Sequence, residues 1–199
     1  ALSILLKREI SCTGAGRTDA GVHAEQLFAH FEHEGELPPR FFPGLNGLLP
    51  RDIALRGVYR PDPPDLHARF SATHRAYRYQ IVTHKTPLQR AFTMFVPYAL
   101  DVPAMQAAAG MLREYDSFES FCKAHGDNQT YFCRIDETRW IWEKDVLCFH
   151  IQADRFLRGM VRAITGTLLQ VGQGKLDLQG FRAIIEAKDR RAAGPSTEA

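Results

Sequence analysis

The sequence predicts an α+β (mixed α/β) fold with largely antiparallel sheets flanked by helices. Residues 134–142 and 146–153 have the composition of two strands joined by the polar turn 143–145. Residues 156–171 place Phe156, Met160, Ile164 and Leu168 on one helical stripe. Strands and helices are interspersed without the regular alternation of a doubly wound sheet, which favours antiparallel pairing.

The remaining elements follow from local patterns. Three further strands are predicted where apolar and polar residues alternate or apolar residues cluster: 26–31, 52–59 and 75–82. Three further helices are predicted between breakers or behind a capping residue: one within 37–50, one over 101–115 and one over 177–187. The first nine residues resemble the end of an amphipathic helix, and residues 190–199 are expected to be irregular.

The chain is long enough, at 199 residues, for one domain or two closely joined lobes. We expect an N-terminal lobe over residues 1–95 and a C-terminal lobe over 96–199.

Composition excludes several classes of protein. Hydrophobic residues make up 45% and charged residues 24%, as in soluble globular proteins. No apolar run is long enough for a transmembrane helix, so no membrane association is expected. The four cysteines form no CxxC pair and are expected to be reduced in a cytoplasmic protein. Cys122, His125 and Cys133 lack an evident fourth ligand, so no metal site is expected.

Positive charge is concentrated in two tracts. The net charge is only +2, yet residues 66–100 and 155–175 contain arginines and lysines and no acidic residue. Together the tracts favour one positive face of the kind that binds nucleic-acid phosphates. Two ordinary solvated faces would give the same pattern.

The most informative segment is the glycine-rich stretch of residues 14–24, Gly-Ala-Gly-Arg-Thr-Asp-Ala-Gly-Val-His-Ala. Its one carboxylate, Asp19, follows two residues after Arg17. Glycines and small neighbours let a large substrate approach closely, and an adjacent arginine favours the ionised carboxylate. Asp19 is therefore a candidate catalytic carboxylate, although an aspartate in such a loop often makes only local turn hydrogen bonds.

From Gly16 to Ala24 this segment resembles, without a substitution, the central motif of the TruA-type tRNA pseudouridine synthases. Residues 70–79 resemble the second motif of that family, in which Phe-x-Ala precedes Arg-x-Tyr-x-Tyr. By this resemblance Tyr77 stacks on the target base, and Arg75 is a further substrate-binding residue. Without the resemblance, the pattern favours Tyr77 and Tyr79 as aromatics of the core or of a sheet face.

Residues 156–166 resemble the third family motif, Phe-Leu-x-x-Met-Val-Arg-x-Ile-x-Gly. The resemblance implies that Arg162 pairs with the catalytic Asp19. It departs at Arg158 and Gly159, where many family members carry a polar residue and a histidine, so Arg158 is assigned only as an RNA contact. Arg17 is assigned to the flipped nucleotide or the place it vacates.

The resemblance implies an isomerase with a pseudouridine-synthase-like fold and an active-site cleft between two lobes. It also implies tRNA as partner, with uridines 38–40 of the anticodon stem-loop as targets. It further implies a homodimer and no cofactor. The family carries a Tyr-Asp-Gly-Thr segment before, and a closing strand after, the part that matches, so both ends are expected to be truncated.

Three other functions each fit part of the sequence. Gly14-Ala-Gly16 begins like a nucleotide-binding loop, but the next glycine is Gly21 and no Gly-Lys-Ser/Thr follows. A non-catalytic RNA-binding module derived from a synthase would keep the basic tracts. A purely structural subunit would have no need of them.

Overall fold

The computed structural model describes residues 1–123 and 130–198, which form two compact units. The first unit comprises residues 1–18 and 24–72, and the second comprises residues 19–23 and those from 73 onward. The lobe boundary predicted between residues 95 and 96 lies within the second unit. The chain there still belongs to a sheet, because the Val96 amide donates to the Val82 carbonyl at 2.9 Å.

The first unit contains two short helices and one two-stranded sheet. In chain order these are α1 (Leu2–Leu6), β1 (Thr13–Gly14), β2 (Ala29–His30) and α2 (Phe41–Leu48). The strands β1 and β2 pair antiparallel. The helices predicted at the N-terminus and within 37–50 are confirmed.

Two strand predictions in this unit are wrong. Residues 26–31 were predicted as one strand, but only Ala29 and His30 pair, because β1 offers two residues as partner. Residues 52–59 form no strand. Their backbone is bonded instead to a side chain, since the Asn46 amide donates to the Leu55 carbonyl at 3.1 Å and accepts from the Leu55 amide at 2.7 Å.

The second unit is built on a four-stranded sheet. Its strands are β3 (Arg75–Val82), β4 (Met94–Phe95), β5 (Ile135–Glu143) and β6 (Val146–Ala153), in the order β4-β3-β6-β5. The pairs β3–β6 and β5–β6 are antiparallel, and β3–β4 is a short parallel pair. The predicted hairpin, the strand at 75–82 and the largely antiparallel α+β fold are confirmed.

In the described part of the second unit, three α-helices accompany the sheet: α3 (Val102–Met111), α4 (Met160–Gly172) and α5 (Leu178–Glu186). Asp101 caps α3 by accepting from the Ala104 amide at 2.9 Å, as predicted. The helix α4 begins four residues later than predicted, because Gly159 takes a left-handed conformation (φ 71°) before it. Phe156 therefore lies outside the helix.

The core of the second unit lies between one face of the sheet and the helices. Its largest fully buried side chains include Ile81, Phe149, Ile151, Met105, Met160, Ile164, Leu168 and Phe181. Burial of each such side chain stabilises the fold by roughly 1.5–3 kcal/mol. This core fixes β3 and α4, the two elements that carry Tyr77 and Arg162.

Among the described residues, no helix has the length and apolar character needed to cross a membrane.

Candidate active site

Asp19 lies in a tight turn that belongs to the second unit. The Val22 amide donates to the Asp19 carbonyl at 3.3 Å, and Gly21 has φ 93°. A positive φ at the third position of such a turn favours glycine, which explains the Ala-Gly pair after the aspartate. The turn fixes the Asp19 backbone.

Arg162 is the partner of Asp19. It lies in the first turn of α4, and its Nη1 donates to Asp19 Oδ2 at 2.8 Å. The side chains of Asp19 and Arg162 are 37% and 33% exposed. The pair is therefore held by a short charge-assisted hydrogen bond while the carboxylate stays accessible to a substrate.

Tyr77 lies on β3, half-buried, with its ring edge-on to Phe156 at a centroid distance of 5.2 Å. Burial raises the pKa of its phenol, the nearby Arg75 charge lowers it, and the Asp19 carboxylate raises it. The phenol is thus neutral at pH 7. Asp19 therefore lies near enough to Tyr77 for its charge to raise the pKa of the phenol.

The three other predicted site residues are Arg75, Arg158 and Arg17, and none of them has a hydrogen bond to Asp19 among the described contacts. Arg75 donates from Nη1 to the Asp154 carbonyl at 3.0 Å. It lies near enough to Tyr77 for its charge to lower the pKa of the phenol. Arg158 is exposed just before α4, and Arg17 is exposed in the first unit. The structure therefore brings together Asp19, Arg162, Tyr77 and Arg75, and leaves the other two on the surface.

The predicted single positive face stays a prediction. Part of the charge in the two basic tracts is paired within the second unit, since Arg78 Nη1 lies 3.4 Å from Glu143 Oε2 and Arg162 binds Asp19.

Two residues beside Arg162 have no role assigned from the sequence: Thr197, and Gly166, which ends the third motif. The Thr197 carbonyl accepts from Arg162 Nε at 2.7 Å. Gly166 lies in the interior of α4, where glycine costs about 1 kcal/mol relative to alanine. That cost is the signal that could have indicated a close backbone approach at this position.

One other cluster has the donor atoms of a metal site. Single donor atoms of Glu143, Cys148 and His150 lie within 4.8 Å of one another. The Arg78 guanidinium already balances the Glu143 charge, and burial raises the pKa of the Cys148 thiol to about 11. We interpret this cluster as an ion pair beside a protonated thiol.

Of the three residues Cys122, His125 and Cys133, at which no metal site is expected, His125 lies outside the described residues. Cys122 and Cys133 are buried, and burial raises the pKa of Cys133 to about 11.

The chain is similar in sequence to tRNA pseudouridine synthases. A family profile described as tRNA pseudouridine synthase matches residues 115–199. A protein named tRNA pseudouridine synthase A from Parabacteroides distasonis is 48% identical over 198 residues, covering 98% of this chain and 78% of the relative. The proteins of the same name from Bacteroides thetaiotaomicron and Bacillus subtilis are 49% and 40% identical, each over 98% of this chain and 74% and 80% of the relative.

The sequence identity to these relatives extends over nearly the whole chain. In the structure, the first and third motifs meet through the hydrogen bond between Asp19 and Arg162. The chain belongs to the tRNA pseudouridine synthase family, a family of isomerases.

Proposed function

We propose that this protein converts uridine to pseudouridine in the anticodon stem-loop of tRNA, at positions 38, 39 and 40. Family membership supports the reaction and the tRNA substrate. The single observation that carries the assignment of the site is the 2.8 Å hydrogen bond between Arg162 and Asp19. It joins an accessible carboxylate to a cation within a unit that has its own core.

The reaction needs no donor of electrons and consumes no water. The N1–C1′ bond of uridine breaks, the base turns, a C5–C1′ bond forms, and the C5 proton is lost to solvent while N1 gains a proton. Attack on C1′, attack on the base ring and removal of a sugar proton to give a glycal all require an ionised carboxylate at the nucleoside. Asp19 supplies that carboxylate on each route.

The other residues act around Asp19. Arg162 orients the carboxylate. Tyr77 stacks on the uracil once the nucleotide has left the stem, and base–aromatic stacking is worth about 1–3 kcal/mol. Because its phenol is neutral at pH 7, we assign Tyr77 to stacking and hydrogen bonding; removal of the C5 proton would first require loss of the phenolic proton.

Arg17, Arg75 and Arg158 complete the substrate-binding set. We assign Arg17 to the flipped nucleotide or to the place that it vacates, and Arg75 and Arg158 to the RNA chain. The family resemblance further supports a cytoplasmic homodimer that works without a cofactor.

The test uses four transcripts of one tRNA. Three carry uridine at only one of positions 38, 39 and 40, and the fourth carries cytidine at all three. We expect pseudouridine in each of the first three and none in the fourth, mapped by chemical modification and primer extension. Pseudouridine at another position in the fourth transcript would refute the positional assignment, and RNA binding without pseudouridine would favour the non-catalytic module.

A further inference from the structure

We propose that the segment Gly194–Thr197, called the strap here, is a positioning element that fixes the guanidinium of Arg162 toward Asp19. The proposal rests on the proposed function in one respect, namely that the Asp19–Arg162 pair is catalytic.

The strap lies directly on α4. A Cβ at Gly166 would overlap the carbonyl oxygen of Pro195 and lie 3.1 Å from its carbonyl carbon. The Gly194 amide donates to Thr167 Oγ1 at 3.0 Å. Only a residue without a side chain at 166 lets the strap come this close, and Gly166 is one helical turn after Arg162 on the same face.

Thr197 then bonds to Arg162 from both its backbone groups. Its carbonyl accepts from Arg162 Nε at 2.7 Å, and its amide donates to the Arg162 carbonyl at 3.2 Å. Its hydroxyl also donates to the Arg162 carbonyl, at 3.3 Å. Thr197 is only 6% exposed, so these bonds are shielded from water.

The residue that follows the strap is also held by a hydrogen bond. The Tyr79 hydroxyl donates to the Glu198 carbonyl at 2.8 Å. The chain is thus held on α4 before Thr197 and on β3 directly after it.

The consequence concerns orientation. A guanidinium has its donors in a rigid plane, so an acceptor at Nε also fixes the direction of Nη1. Nη1 is the atom that binds Asp19. Without the strap, Arg162 keeps its charge and loses its fixed direction, and misplacement of a catalytic group by about 1 Å can cost on the order of 100-fold in rate.

The first test compares two glycines that both lie in helices. At Gly166 an added Cβ meets Pro195, whereas at Gly110 in α3 it meets nothing within 4 Å. We expect Gly166→Ala to lower kcat for pseudouridine formation by about 10- to 100-fold. The dissociation constant for tRNA should change by less than about twofold, because buried Thr197 offers RNA no contact surface. Gly110→Ala should leave both unchanged.

A milder variant covers the case in which Gly166→Ala does not fold. A Cβ at Gly194 would lie 3.1 Å from Thr167 Cα, a contact that needs a shift of only a few tenths of an ångström. Gly194→Ala should therefore lower kcat by a smaller factor with an unchanged tRNA affinity.

A second measurement needs no activity. In ¹⁵N-labelled protein the Arg162 Nε–H signal, assigned by its loss in Arg162→Lys, should exchange slowly with water because Thr197 accepts from it. Gly166→Ala, or Gly194→Ala if the first is unfolded, should accelerate that exchange, and Gly110→Ala should not.

The outcomes separate the two proposals. Faster Nε–H exchange together with a lower kcat supports the strap. Faster exchange in a protein whose wild type forms no pseudouridine supports the strap contact and refutes the proposed function. Wild-type exchange and kcat in the folded strap variants, or a loss confined to tRNA affinity, would overturn the strap.

Discussion

The two units of the chain differ in how their residues are held. In its described residues the second unit has a four-stranded sheet, three α-helices and a continuous core. Within the described part of the first unit, the buried hydrophobic residues are Phe41 and Leu45, and each of its strands has two residues. Large side chains such as Phe70, at 76% exposure, remain on its surface.

This difference in packing explains why the Asp19–Arg162 pair lies in the second unit. Asp19 and Arg162 are 143 residues apart in sequence, yet both belong to the second unit. A hydrogen bond of 2.8 Å between them requires elements whose positions are fixed by packing. The first unit has few buried apolar residues, and its loops are also joined by polar contacts such as the two hydrogen bonds between Asn46 and Leu55 and the one from the Ala68 amide to the His30 ring.

The largest expected effect on stability is a difference between core substitutions in the two units. Leu168 is fully buried in α4, so Leu168→Ala should lower the free energy of unfolding by about 2–5 kcal/mol. Leu45→Ala in α2 should cost less, because fewer buried neighbours lose contact. Urea unfolding of both variants gives the two values.

Hydrogen exchange sharpens the same comparison. Leu45→Ala should accelerate amide exchange within α2 and leave the strands β3 and β6 near wild type, whereas Leu168→Ala should accelerate exchange in both strands. Equal acceleration of β3 and β6 by the two variants would show that the units do not differ in the way described.

A smaller effect depends on pH. Burial raises the pKa of Cys133, in the second unit, from 9.0 to about 11. Above pH 9 the thiol therefore ionises first in the unfolded chain, so this group lowers the free energy of unfolding as pH rises from 9 to 11 and has no effect at pH 7. At pH 10 the loss is about 1 kcal/mol.

The measurement is urea unfolding in reductant at pH 8 and pH 10. Cys133→Ala should show a smaller drop between the two pH values than wild type does. Cys12→Ser is the matched control, since Cys12 is exposed in the first unit, and it should show the wild-type drop. An unchanged drop in Cys133→Ala would contradict the assignment to that thiol.

Local patterns predicted the second unit well because its elements carry their own signals. The composition of β5 and β6, the polar turn between them and the Asp101 cap of α3 specified strands and a helix without reference to distant residues. The prediction of strands at 26–31 and 52–59 failed because strand formation depends on a partner that composition does not reveal.

The glycine-rich loop alone made Asp19 a candidate, whereas the roles of Arg162 and Tyr77 were predicted only from the resemblance. Nothing in the local sequence around Arg162 specifies a partner in a distant loop, and the roles of Asp19, Arg162, Tyr77 and the three other residues stay predictions. The strap was missed because irregular residues 194–197 have no pattern of their own. Its only local sign was Gly166 within a helix.

The central claim, that Asp19 is the catalytic carboxylate, is tested most directly by single-turnover release of tritium from tRNA labelled at C5 of its uridines. Asp19→Asn keeps the shape of the side chain and removes its charge, whereas Asp145→Asn makes the same change in the exposed β5–β6 turn. We predict that Asp19→Asn slows release by at least about 1,000-fold with tRNA affinity retained, and that Asp145→Asn releases tritium at the wild-type rate. Release by Asp19→Asn at the wild-type rate would contradict the account.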